Sequence, residues 1–96
     1  MGDPGAERLT ATVIGAVQGV GFRWWVRVQA TELRLTGWVM NDADERTVSL
    51  VAEGRPDDLD ELQRRLQRGP RSARVDQLDA RRGPASGEFG RFEVSR

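Results

Sequence analysis

Apolar and polar positions change period several times along the chain. From Leu9 to Ile14, "LTATVI" alternates weakly and carries β-branched residues, which predicts a first strand. Phe22, Trp25, Val26, Ala30 and Leu33 then recur at helical spacing, with Arg23, Arg27, Thr31 and Arg34 on the opposite side, which predicts an amphipathic helix. "LTGWVMN" reads as a second strand. "TVSLVAE" reads as a third, turning Val48, Leu50 and Ala52 inward. The polar "NDADER" between them is a hairpin connection. A second helix starts at Pro56, with Asp57, Asp58, Asp60 and Glu61 in its first turns and Leu59, Leu62 and Leu66 as its stripe. Arg64, Arg65 and Arg68 load its end, and Gly69–Pro70 stop it. In "ARVDQLDAR", Val75 and Leu78 fall on opposite parities, so that strand needs a bulge or a partly exposed edge. "GPASGEFG" is a loop, and "RFEVS" a short final strand with Phe92 and Val94 on one face. The order βαββαβ plus a short strand predicts an α+β, ferredoxin-like split βαβ sandwich: one mostly antiparallel sheet with two helices on one face.

Composition narrows the chemistry. The 96 residues suit one domain, expected over 9–96 behind a disordered lead-in at 1–8. No apolar run approaches the roughly 20 residues of a membrane-spanning helix. The start, "MGDPGAERL", is neither basic nor apolar enough for a signal peptide, so a cytoplasmic protein is the default. Fifteen basic residues balance fifteen acidic ones, which is not the basic surplus of a nucleic-acid binder. His, Cys, Tyr and Lys are all missing. That removes the commonest general base, the thiol nucleophile, the Schiff-base and P-loop lysines, and zinc sites built on His or Cys. Trp24, Trp25 and Trp38 read as core and rim packing rather than a base-stacking platform.

The glycine-rich connection "GAVQGVGFR", Gly15 to Arg23, stands between the first strand and the first helix. A loop entering a helix N-terminus aims several N–H groups at one spot, and the helix dipole adds positive potential. Glycines permit a concave nest of amides. A helical side chain leans toward the N-terminus, so Arg23 can reach back over that nest with a planar fork suited to phosphate or carboxylate. A right-handed crossover makes strands one and two parallel, so Asn41, ending strand two, shares a sheet edge with the loop. Glycine turns are also common between strand and helix, a helical Arg is usually solvated, and an Asn often just ends a strand. The residues alone therefore leave an anion site and a plain connecting turn both open. The spacing fits neither G-x-G-x-x-G nor the Walker pattern.

Two motifs resemble the acylphosphatase family. The first, G-x-V-Q-G-V-x-F-R, is Gly15, Val17, Gln18, Gly19, Val20, Phe22 and Arg23. The second, G-W-V-x-N, is Gly37, Trp38, Val39 and Asn41; Val48 to Gly54 also fits. The resemblance runs from about Leu9 to Val94. It implies a ferredoxin-like fold and metal-free, cofactor-free hydrolysis of acyl phosphates to a carboxylate and phosphate. In that family the motif arginine and loop amides bind phosphate and the asparagine positions the attacking water. Those roles fall here on Arg23, on Val17, Gln18, Gly19, Val20, Gly21 and Phe22, and on Asn41. A small-molecule acyl phosphate is then the substrate, inorganic phosphate the product and an inhibitor, and a monomer without nucleic-acid or membrane partners is expected. The turn "NDADERT" departs from the family pattern, being one residue longer and without Gly, and Ala16 stands where a basic residue is frequent. The alternative is a non-catalytic ferredoxin-like module binding an anion, an RNA or a protein, since such sandwiches host many functions.

Overall fold

The computed structural model describes residues 5–95. Its elements follow the order β1 (Glu7–Ala16), α1 (Phe22–Glu32), β2 (Thr36–Asn41), β3 (Thr47–Gly54), α2 (Pro56–Arg68), β4 (Arg74–Pro84) and β5 (Phe92–Val94). The strands form one sheet in the order β4-β1-β3-β2-β5. β3 lies antiparallel between β1 and β2, so those two run parallel to each other, while β5 pairs parallel with β2. This is the split βαβ sandwich expected from the element order. β1 begins at Glu7, which pairs with Gly54, so the strand takes in two residues assigned to the lead-in. The first four residues of that lead-in lie outside the described part.

Both helices cover the face bearing Leu9, Ala11, Val13, Val39, Val48, Leu50 and Ala52. They insert Phe22, Val26 and Ala30 from α1 and Leu59, Leu62 and Leu66 from α2. Each fully buried Leu, Val or Phe contributes about 1.5–3 kcal/mol by leaving water. β3 is buried on both faces: besides the inward set, Val51 and Glu53 are covered. The loop after β4 folds across the otherwise open face. Glu53 accepts the backbone N–H groups of Ser86 (2.9 Å) and Gly87 (3.0 Å), the Ser86 hydroxyl (3.0 Å) and the Arg8 Nε (2.7 Å). Burial works to raise the Glu53 pKa, but these donors together outweigh it and hold the carboxyl down at about 2.

β4 is an edge strand with a bulge. Ile14 faces Gln77 and Gly15 faces Val75, leaving Asp76 as the extra residue. That insertion brings Val75 and Leu78, of opposite parity, against the same core. Gly15 belongs to this bulge within β1 rather than to the loop: a Cβ there would stand 2.1 Å from the Arg74 carbonyl oxygen. α1 is shorter than its sequence pattern. Leu33 is its C-cap and Arg34, at φ 60°, lies beyond the helix.

Candidate active site

The site is assembled from strand ends. β1, β2 and β5 run in the same direction, so the loop leaving β1, Asn41 at the end of β2 and Val94 at the end of β5 meet at one sheet edge. They enclose a cavity of about 250 Å³ lined by Val17, Gly19, Gly21, Phe22, Arg23, Trp24, Asn41 and Val94. Gln18 and Val20 belong to the same loop but do not border this space.

The loop's shape comes from its backbone. Gly19 and Gly21 take φ of 74° and 76°, left-handed values that cost an L-residue with a Cβ about 1–2 kcal/mol. Gly21 is also the N-cap of α1, so no side chain caps this helix, and its first turn carries no acidic residue. The first helical bond runs from the Trp25 N–H to the Gly21 carbonyl at 3.0 Å. The N–H groups of the residues just before it therefore have no partner within the helix. Two ties fix the loop. The Gln18 side chain donates from Nε2 to the backbone carbonyls of Asp42 and Thr47, each at 2.9 Å, and Ser72 donates its hydroxyl to the Val20 carbonyl at 3.1 Å. Gln18 thus fastens the loop to the β2–β3 hairpin, directly beside Asn41.

Arg23 is half-buried and donates from one terminal nitrogen to the Ser95 carbonyl at 2.6 Å. Ser95 is itself held by its N–H to the Val39 carbonyl at 2.7 Å. The C-terminal strand therefore steers the guanidinium along one wall of the cavity. Asn41 is half-buried on another wall. Among the described residues, its Oδ1 is a buried side-chain oxygen with no hydrogen-bond partner. Such an atom is costly in a folded protein unless something meets it. The hairpin behind Asn41 closes without glycine. Asp44 Oδ1 accepts the N–H groups of Arg46 and Thr47, its Oδ2 accepts the Thr47 hydroxyl, and Glu45 takes φ 65°. The Thr47 hydroxyl and the Arg46 amide hold the Asp44 carboxyl below its ordinary range. No Asp or Glu lines the cavity.

Three of these features are not marked in the sequence. Ser95 holds Arg23 from 72 positions away and by a backbone oxygen, which leaves no residue signature. Gln18 acts through its side chain on the hairpin. Trp24, expected in core or rim packing, is 60% exposed, whereas Trp25 stacks on Phe22 with ring centroids 5.5 Å apart.

The acylphosphatase family model matches residues 9–94. An acylphosphatase of Paenarthrobacter aurescens (strain TC1) is 45% identical over 87 residues, which is 91% of this chain and 92% of the relative. The crystal structure of acylphosphatase from Bacillus subtilis aligns with a TM-score of 0.88 at 29% identity, across 94% of this chain and 99% of that one. The structure of an acylphosphatase from Coxiella burnetii aligns at 0.87 with 37% identity, across 95% of this chain and 94% of that one. With the family model spanning all seven elements but the start of the first strand, the chain belongs to the acylphosphatases, enzymes that hydrolyse acyl phosphates.

Proposed function

We propose that the loop from Val17 to Phe22 and Arg23 hold the phosphoryl group of an acyl phosphate while Asn41 orients the attacking water. The observation that carries this reading is the cavity itself: a positive-φ glycine loop at an uncapped helix N-terminus, an anchored guanidinium, and Asn41, whose buried Oδ1 has no partner among the described residues, all border one space. Phosphoryl transfer demands positioning and charge stabilisation more than covalent chemistry. The loop amides and the Arg23 fork supply donors to the non-bridging oxygens. The Asn41 amide has no useful pKa, so it accepts a hydrogen bond from the water and aims it rather than deprotonating it. Water oxygen bonds to phosphorus, the bond from phosphorus to the acyl oxygen breaks, and its electron pair leaves on the carboxylate. A water proton passes to a phosphoryl oxygen. The carboxylate is stable as it departs, so no general acid is needed, and the chain's lack of His and Cys is compatible with the step.

The reading is metal-independent. It is supported by the cavity's lack of carboxylates and, among the described residues, by the absence of any cluster of three Asp or Glu able to hold an ion. It takes the enzyme as a cytoplasmic monomer acting on a small molecule; every group in the proposed step comes from one chain. Among the described residues, no helix is long and apolar enough to cross a membrane. The test is turnover of benzoyl phosphate in EDTA, with and without added Mg²⁺, and with increasing inorganic phosphate. Turnover is expected to persist in chelator, gain nothing from Mg²⁺, and be inhibited competitively by phosphate. Loss in chelator restored by a divalent ion, or non-competitive inhibition, would overturn it.

A further inference from the structure

Exposed apolar surface gathers around the mouth of the site. Among the described residues, four large apolar ones are notably exposed: Val20, Trp24, Val28 and Val94. Val20 lies on the loop, and Trp24 and Val94 border the cavity. A tryptophan left 60% in water gives up most of the burial that normally fixes such a ring. This ring is nonetheless held, because the Arg27 guanidinium lies over it at 4.9 Å from the ring centroid, one helical turn away. A second cavity, about 350 Å³, shares these two residues: Trp24 and Val94 border both spaces, with Phe92, Arg27, Arg91 and Glu93 completing the second. The first cavity alone falls short of the roughly 300–1,000 Å³ of small-molecule sites. It suits a phosphoryl group but leaves little room for an acyl body.

We propose that Trp24 and Val94, backed by buried Phe92, form an acyl-group subsite that selects acyl phosphates with an aromatic or bulky apolar body. This rests on the phosphoryl assignment above. The body leaves the reacting carbonyl across the shared wall and lies against Trp24, whose orientation is already fixed by Arg27, so little freedom is lost on binding. Arg91 and Glu93 pair with each other at 2.9 Å and Arg27 lies over the Trp24 ring, so charged side chains rim the subsite while Trp24, Val94 and Phe92 supply its apolar surface.

The test compares benzoyl phosphate with acetyl phosphate in wild type, Trp24→Ala and Trp24→Phe, with the inhibition constant of inorganic phosphate measured in each. Truncating an exposed ring leaves the core intact. Trp24→Ala is expected to lower kcat/KM for benzoyl phosphate about 10-fold, mainly through KM, since one aromatic contact is lost. Trp24 also borders the phosphoryl cavity, so acetyl phosphate turnover and phosphate inhibition are the references: each should change several-fold less than benzoyl phosphate turnover does, because only the acyl body depends on the ring. Trp24→Phe should restore much of the preference. Equal effects on both substrates, or none, would overturn the subsite and favour another occupant for this surface, such as a partner protein. Wild type that hydrolyses neither substrate would overturn the hydrolytic assignment beneath it.

Discussion

Arg23 lies in the first turn of a helix, where an arginine would ordinarily swing in solvent. The Ser95 carbonyl 2.6 Å away holds it against the cavity instead, which reduces the side-chain entropy lost when an anion binds. Arg23 and Asn41 were legible from sequence because each belongs to a motif and because topology brings the ends of β1 and β2 together. The Ser95 anchor was not, since any residue supplies a backbone carbonyl. Glu53 is a second residue whose role sequence concealed. The alternation that turns Val48, Leu50 and Ala52 inward puts Glu53 on the opposite face of the sheet, where the 85–91 loop covers it. Its folded pKa of about 2 lies below the ordinary 4.5. The contribution is therefore fully present above pH 4.5 and is lost as pH falls toward 2. By linkage that contribution is about 3 kcal/mol at neutral pH. Denaturant midpoints measured from pH 7 to 2 should fall through this window in wild type, and Glu53→Gln should start lower and flatten the fall. An unchanged acid limb in Glu53→Gln would refute the assignment.

Helix α1 ends on a motif that its sequence disguises. The Leu35 N–H reaches the Ala30 carbonyl at 2.8 Å and the Arg34 N–H reaches the Thr31 carbonyl at 3.0 Å, the paired bonds of a Schellman end. The left-handed position between them normally carries glycine. Here it is Arg34, so the periodic pattern ran past the true end. The β2–β3 turn is alike: Glu45 takes the left-handed position, and the Asp44 carboxylate supplies the closure that a glycine turn would give. Arg34→Gly should therefore stabilise the fold by about 0.5–1 kcal/mol, the relief of strain exceeding the added chain entropy. That corresponds to a rise in Tm of about 2–8 °C. A fall in Tm by calorimetry would contradict this reading of the helix end. The second helix was fully legible, because Pro56, the acidic first turn, the Leu stripe and Gly69 all agree on one element.

Over the whole molecule, the proposed site is built where three parallel strand ends meet at one edge. The element order alone predicted this for β1 and β2. The contribution of β5 was hidden, because a three-residue strand has too little pattern to reveal its partner, yet its parallel pairing with β2 delivers both Val94 and the Ser95 carbonyl to the site. Binding and attack are thus assigned to groups on separate elements, Arg23 on α1 and Asn41 on β2, and a substitution at one should not reproduce the other. The decisive measurement is the steady-state kinetics of Arg23→Ala and Asn41→Ala on benzoyl phosphate, with phosphate inhibition constants and circular dichroism for each. Arg23→Ala is expected to raise KM, lower kcat and weaken phosphate binding together, a transition-state loss on the order of 3–5 kcal/mol. Asn41→Ala is expected to lower kcat by roughly 10²-fold or more while KM and phosphate affinity change little. Folded variants in which Asn41→Ala weakens phosphate as much as Arg23→Ala does, or in which both retain near-normal kcat, would contradict the division of labour between the two residues.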